Sequence, residues 1–215
     1  AREVNVGEAL FSAPPKVTPN IHMIVLESFI DPRRLNGTYS PDPLGPKLQP
    51  FLLPYNDGFS RVYSPVYGGG TAQAEFELLT GVKALSRVNS IEFNVMRGGQ
   101  LTSLTSQLKR HRYHLMATIG AGKSFFNSVQ AYRSLGFESA LFMEEASDFT
   151  QPEDDIYLFD GSVFNYNIKR LEAAMAERDE PLFNYVLGMY GHTPIHRNHD
   201  RRPDRVKVTH SDDQV

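Results

Sequence analysis

The chain has no cysteine. A disulfide framework and a thiolate metal site are therefore excluded, and an oxidising compartment is permitted without being required. A long hydrophobic run is also missing: no segment approaches the roughly 18 consecutive apolar residues of a membrane-crossing helix. No signal-peptide pattern opens the sequence. Nor is there an excess of positive charge. Lys and Arg number 22 against 25 Asp and Glu, a net charge of −3, so the basic footprint of a nucleic-acid binder is absent. Neither an internal repeat nor a low-complexity tract is present. What the chain does have is 215 residues, 40% of them hydrophobic, with 14 Phe. That suits one ordinary domain with a real core and argues against disorder. Composition alone permits a cytosolic protein as readily as an exported one.

Strand-like and helix-like patterns alternate along the chain. Residues 21–26 form a short apolar run after Pro19-Asn20 and read as a buried parallel strand. Residues 31–65, rich in Pro, Gly, Asp and Ser, read as a long crossover of loops with a short helix near residues 50–53. Residues 72–80 look helical and stop at Gly81, a suitable residue just past a helix end. Leu101, Leu104 and Leu108 predict an amphipathic helix. Lys109, Arg110 and Arg112 lie near its C-terminal end, where the dipole favours cations. Strands are predicted at 113–119 and 140–143, with a weaker pattern at 156–159. Phe164, Ile168, Leu171 and Met175 make a helical stripe, Pro181 interrupts the chain, and 183–189 is the next strand. The tail from Arg197 onward is polar and charged and predicts no closing strand. This alternation predicts an α/β fold, a mostly parallel sheet with helices on both faces.

Three positions carry candidate chemistry. In Tyr67-Gly68-Gly69-Gly70-Thr71-Ala72, glycines run into a threonine at a helix start. Glycines let backbone come close to a ligand or metal. The helix start offers free N–H groups and the positive end of a dipole. A hydroxyl held there beside a metal can be ionised and used as a nucleophile. The same residues suit an ordinary cap, with Thr71 as nothing more than an N-cap. Glu27 follows the strand 21–26 at its carboxyl end, where ligands gather in open α/β sheets. A carboxylate there is a hard ligand for Mn²⁺, Mg²⁺ or Zn²⁺; a capping or surface glutamate is the alternative. His192 stands in Gly191-His192-Thr193-Pro194 after strand 183–189. An imidazole at that strand end could bind a phosphate oxygen or protonate a leaving alkoxide; a solvated loop histidine is the plainer reading. His196 and His199 continue the spacing, but Pro194 opposes the regular helix that a metal site on His192, His196 and His199 would need. The tail histidines, His210 included, read as surface residues.

In order and spacing, three segments together resemble the lipoteichoic-acid synthase and phosphoglycerol transferase family, a sulfatase-like branch of the alkaline phosphatase superfamily. Gly68-Gly69-Gly70-Thr71 and the helix after it resemble that family's nucleophile segment. Pro19 to Ser28 resembles its first strand, which ends in a metal-binding glutamate, here Glu27. Phe183 to Pro194 resembles a later strand that ends in a substrate-contacting histidine, here His192. The resemblance implies that Thr71 is both nucleophile and metal ligand. The cofactor would be a divalent metal ion, Mn²⁺ first and Mg²⁺ or Zn²⁺ as alternatives. The donor would be an anionic phospholipid such as phosphatidylglycerol. The acceptor would be an extracytoplasmic glycan or polyol-phosphate polymer. Lys123-Ser124-Phe125-Phe126-Asn127-Ser128 matches a family segment that usually reads Ser-Phe-Trp-Asn-Arg and grips glycerophosphate. It implies substrate contacts from Phe126 and Asn127, with Lys123 supplying positive charge. Ser128 replaces the arginine, so its bidentate phosphate contact is lost.

The family's other metal ligands, an aspartate–histidine pair, are not found. Thr209-His210-Ser211-Asp212-Asp213 resembles the helix that precedes them. The resemblance therefore predicts that residues 19–215 are the N-terminal part of a catalytic domain, truncated at its C-terminus. It predicts half a metal site and no turnover by these residues alone. By the same resemblance, residues 1–18, with Pro14-Pro15, would be the linker after a membrane region and the domain would lie outside the cytoplasm. Phosphoethanolamine transfer and sulfate- or phosphate-ester hydrolysis are neighbouring activities. Two further readings stay open. Ala117-Thr118-Ile119-Gly120-Ala121-Gly122-Lys123-Ser124 resembles a nucleotide-binding P-loop with Ala117 in a consensus glycine position, and Asp160 could follow as a Walker B residue. A catalytically degenerate binding domain on the same fold is the other.

Overall fold

The computed structural model describes residues 18–29, 38–40, 62–66, 69–85, 91–99, 101–146, 157–194, 199–200, 203 and 207–210. Strands and helices occur there in the order β1 (Ile21–Leu26), β2 (Thr38–Ser40), α1 (Thr71–Thr80), α2 (Ile91–Val95), α3 (Leu104–Arg110), β3 (His114–Ile119), α4 (Ser128–Ser134), β4 (Ser139–Leu141), α5 (Asp160–Glu177), β5 (Leu182–Gly188) and β6 (Lys207–His210). Two compact units divide the chain. The first comprises Ala1–Glu27, Ser64–Gln151 and Tyr157–Tyr190; the second comprises Ser28–Tyr63, Pro152–Ile156 and Gly191–Val215. Among the described residues, no helix is long and apolar enough to cross a membrane.

The first unit is built on a four-stranded sheet of order β1-β5-β3-β4. Every pairing in it is parallel, as the alternation of strands and helices predicts. Side chains alternate between its two faces, the two-residue period of a strand. Leu115, Ala117 and Ile119 of β3 and Phe183, Tyr185 and Leu187 of β5 point into the main core with Ala72, Leu79, Leu108 and Tyr132. Each large side chain buried there stabilises the fold by roughly 1.5–3 kcal/mol. On the opposite face Val186 meets Val163 of α5.

The docking of α5 is as much polar as apolar. Asn167 donates to Thr118 Oγ1 at 2.9 Å and exchanges two amide hydrogen bonds with Asn184 at 2.8 and 2.9 Å. Arg170 donates to the Ala117 carbonyl at 2.5 Å and to Thr118 Oγ1 at 2.8 Å. These bonds set the rotation of the helix. Val163 and Asn167 are buried, while Ile168 and Met175 of the apparent apolar stripe are 51% and 58% exposed. Phe164 of the stripe still packs against the cluster of Val163 and Val186, but further along the helix the buried side is the one docked by satisfied polar groups.

Other expectations are also corrected. β1 is an edge strand, and Ile24 on its second face is 53% exposed, so it is not buried on both faces. Among residues 157–159 there is no strand; Phe159 is the N-cap of α5. The fourth strand of the sheet is the shorter Ser139–Leu141. The tail contains β6, which pairs antiparallel with β2 in the second unit. Thr209 and His210 therefore lie on a strand and not on a helix. The helix predicted near residues 50–53 lies outside the described residues.

Helix ends follow local chemistry. Ser103 caps α3 through a reciprocal pair of bonds with Ser106. Gly81 ends α1 in the left-handed region, with its N–H on the Glu77 carbonyl at 2.8 Å.

Candidate active site

The turn into α1 is set by glycine. Gly69 has φ +124° and Gly70 φ +88°, a region that L-residues with a Cβ avoid. A Cβ on Gly70 would also lie 2.8 Å from Gln73 Oε1 and 3.3 Å from Val66 Cγ1. The helix begins immediately afterwards at Thr71. The Gln73 N–H turns back to the Gly70 carbonyl at 2.9 Å, while those of Thr71 and Ala72 have no helical carbonyl before them, so positive potential collects there.

Thr71 is 7% exposed, and its hydroxyl donates to Glu27 Oε1 at 3.0 Å. Glu27 stands one residue past β1, with its own N–H on the Gly188 carbonyl of β5 at 3.0 Å. The parallel register brings Leu26 opposite Gly188, so the carboxylate sits at the carboxyl end of the sheet. A strand end and a helix start thus place a carboxylate and a hydroxyl in contact across 44 residues of sequence.

One turn further along α1, Glu75 is 3% exposed. Its Oε2 accepts the hydroxyls of Tyr132, through a very short contact, and of Tyr185 at 2.8 Å. Burial raises its carboxyl to about 7; the two phenol hydrogen bonds oppose that rise and the negative charge of Glu27 adds to it. Burial and the adjacent Glu75 carboxylate push both phenols up. Burial also pushes up the Tyr157 phenol, with Glu27 contributing. Sequence reading did not single out Glu75 or Tyr157. For Glu75 a signal existed: it falls between Ala72 and Leu79 at helical spacing, on the stripe that faces the core.

Glu27 and Thr71 offer two hard oxygen donors, which fit a divalent cation of the Mg²⁺ or Mn²⁺ type. Among the described residues there is no group of three or more His, Cys, Asp or Glu that could hold an ion. His196 lies outside the described residues.

A family model for sulfatases matches residues 19–214. The chain belongs to the sulfatase family. A relative from Rhizobium meliloti (strain 1021), whose name is that of a cyclic β-1,2-glucan modification protein, is 28% identical over 182 residues. Those residues are 84% of this chain and 26% of the relative. Among solved structures, the lipoteichoic acid synthase LtaP from Listeria monocytogenes superposes with a TM-score of 0.66 at 17% identity, over 87% of this chain and 44% of that one. An alkaline phosphatase superfamily protein from Vibrio parahaemolyticus superposes with a TM-score of 0.58 at 16% identity, over 84% and 42%. At these identities the two structures establish the fold alone, an α/β fold shared with both proteins. The chain spans about a quarter of the length of the rhizobial protein.

The other candidate residues of this sulfatase-family domain have visible local partners. The Lys123 N–H donates to both carboxylate oxygens of Glu144, at 2.9 and 3.1 Å, and its ammonium pairs with Glu145 at 2.5 Å. Asn127 donates to the Phe93 and Met96 carbonyls at 2.7 and 3.1 Å, tying its loop to α2. Phe126, with φ +45°, packs edge-on against Phe125 at 4.4 Å and against the core. Ser128 is buried and donates to the Phe125 carbonyl. His192 lies in the second unit, half-buried, with Nδ1 against the Thr193 carbonyl.

The P-loop reading gives way to the family match, which takes in this loop within residues 19–214. The loop amide of Lys123 binds Glu144 and its ammonium pairs with Glu145. Asp160 is not at a strand end but opens α5, and it accepts the Tyr190 N–H at 3.2 Å.

Proposed function

We propose that this sulfatase-family domain belongs to an extracytoplasmic transferase that moves a phosphoglycerol-type group from an anionic phospholipid to a glycan, through a phospho-threonine at Thr71. The observation that carries this reading is the hydrogen bond from Thr71 to Glu27 at a helix start and strand end. It pairs a hydroxyl nucleophile with a carboxylate in a region of positive backbone potential. The similarity to a protein named for modifying cyclic β-1,2-glucan supports a glycan acceptor; a polyol-phosphate polymer is the alternative.

In the first step Thr71 Oγ1 attacks phosphorus, and the bond from phosphorus to the diacylglycerol oxygen breaks. The proton that Thr71 loses is balanced by the one that the departing alkoxide takes up. In the second step an acceptor hydroxyl attacks phosphorus, the bond from phosphorus to Thr71 Oγ1 breaks, and the proton that the acceptor loses is balanced by the one that Thr71 regains. The N–H groups at the start of α1 point to where negative charge grows on the phosphoryl oxygens. A divalent cation held by Glu27 and Thr71, Mn²⁺ in the first instance, would lower the pKa of the hydroxyl and offset phosphoryl charge when bound. His192 is assigned to a phosphoryl oxygen or the leaving group. Lys123, Phe126 and Asn127 are assigned to the headgroup, with Lys123 exchanging Glu145 for the substrate. The buried Ser128 in place of the family arginine favours a second reading: a different headgroup, such as phosphoethanolamine, or ester hydrolysis.

The test uses the whole protein with phosphatidylglycerol vesicles and Mn²⁺. Mass spectrometry should find a phosphoglycerol adduct on the peptide that contains Thr71. Thr71→Ala should abolish turnover with the fold intact, and Thr71→Ser should retain part of it. Turnover by Thr71→Ala within about tenfold of the parent would remove the nucleophile assignment. Mn²⁺-dependent hydrolysis of a sulfate or phosphate monoester without lipid turnover would favour the second reading.

A further inference from the structure

We propose that Glu75 is the positioning residue for Thr71: its bonds to Tyr132 and Tyr185 pin α1 to the sheet where the Thr71 hydroxyl meets Glu27. The inference rests on the reading of Thr71 as nucleophile, but its geometry stands separately. Glu75 is one helical turn from Thr71, and residues four apart lie on the same helix face. At 1.5 Å per residue the two are about 6 Å apart along a stiff rod. A pin at Glu75 therefore fixes the height and rotation of Thr71.

The other end of the pin is informative. Tyr185 lies on β5, three residues before Gly188, whose carbonyl holds the Glu27 amide. The same strand thus supports both members of the Thr71–Glu27 pair. Tyr132 braces the pin from α4, with its ring 6.0 Å from those of Tyr185 and Phe93 and 5.4 Å from that of Phe137. On the side before Thr71 the chain enters through Gly69 and Gly70 in the positive-φ region, where no Cβ can pack against a neighbour. The helix must be located from within.

Packing alone does not call for a carboxylate here. Among the described residues, the groups that act electrostatically on Glu75 are two phenols and the like-charged Glu27, and none is a cation. A buried carboxyl without a cation is a costly choice for a core position. One turn on, the same stripe carries Leu79, fully buried. A carboxyl can gather two hydroxyls on one oxygen, which leucine cannot. That is the property the site uses.

The experiment is a double-mutant cycle in the purified chain, with chelator present and without substrate. Thr71→Val is placed in the parent, in Glu75→Leu and in Glu75→Gln, and each unfolding equilibrium is measured in urea. In the parent the lost bond to Glu27 should lower the folding constant about tenfold, as for a hydrogen bond to a charged group. In Glu75→Leu the hydroxyl is no longer held against Glu27, and Thr71→Val should change the constant by less than about twofold. Glu75→Gln keeps an acceptor for the two phenols and should restore the tenfold effect. If Glu75→Leu does not fold, Tyr185→Phe takes its place with the same expected loss of coupling. An equal effect of Thr71→Val in all backgrounds would overturn the proposal. In the whole protein, Glu75→Leu should lower kcat and leave KM within about twofold. A parent protein without Thr71-dependent turnover would refute the proposed function and leave the coupling result standing.

Discussion

Glu75→Gln provides a stability test that needs neither substrate nor metal. The Glu75 carboxyl stands at about 7 in the fold against an ordinary value of 4.5. Between those values the unfolded chain ionises at this position while the folded chain keeps its proton. The folded state then binds more protons, so the stability of the fold falls as pH rises. Below about 4.5 both states are protonated, above about 7 both are ionised, and the slope vanishes at each end. At about 1.4 kcal/mol per pH unit, the loss across the window is about 3 kcal/mol. The groups facing Glu75 are Tyr132 from α4, Tyr185 from β5 and the charge of Glu27 at the end of β1. Both phenols are raised further and remain neutral throughout the window. The amide introduced by Glu75→Gln would be neutral at every pH and would still accept both hydroxyls. Urea unfolding followed by circular dichroism, from about pH 4.5 to about pH 8 with chelator, should therefore show two curves that lie close together in acid. They should separate progressively until the variant is the more stable by about 3 kcal/mol. Glu27→Gln should narrow the separation, because one source of the shift is removed. A constant offset between parent and Glu75→Gln across the whole range would refute the reasoning, as would a parent that gains stability relative to the variant between about pH 5 and pH 7.

Gly70→Ala forces a Cβ into a positive-φ position and to 2.8 Å from Gln73 Oε1. It should cost about 1–3 kcal/mol in urea unfolding, and a neutral result would show that the turn relaxes freely. Asn167→Ala leaves Asn184 and Thr118 without their amide partner on the buried side of α5. It should cost about 1–3 kcal/mol, whereas Ile168→Ala on the exposed side should change stability by under about 0.5 kcal/mol. His192→Ala in the whole protein should lower turnover far more than Mn²⁺ affinity. Loss of the metal with recovery at high Mn²⁺ would instead make His192 a ligand.

Much of the scaffold was legible in the linear sequence, and for identifiable reasons. The mostly apolar segments at 21–26, 114–119 and 182–188 were readable as strands because strands of a parallel sheet covered by helices have little need for polar residues, although β1 proved to be an edge strand and Thr118 and Asn184 are the polar groups that dock α5. The glycines before Thr71 announce a turn that only glycine tolerates, and Gly81 announces the end of the same helix. The strand end at Glu27 and the helix start at Thr71 were both readable as local features. Their 3.0 Å contact depends on β5 lying between β1 and β3, and no local pattern encodes strand order. The stripe of Phe164, Ile168, Leu171 and Met175 misled for the same kind of reason. Apolar periodicity marks a face suited to burial, but the side chains of Asn167 and Arg170 found partners on β3, β4 and β5 and turned a different face inward. Glu75 and Glu77 stand two residues apart on one helix and are chemically identical in the sequence. Helix geometry aims the first at Tyr132 and Tyr185 from distant parts of the chain, which gives one glutamate a raised pKa and a fixed position. Local propensity therefore located the central strands and the ends of α1, though not β6 or the start of α5. Only tertiary packing decided which polar groups lost their water, because desolvation depends on neighbours that the sequence places far away.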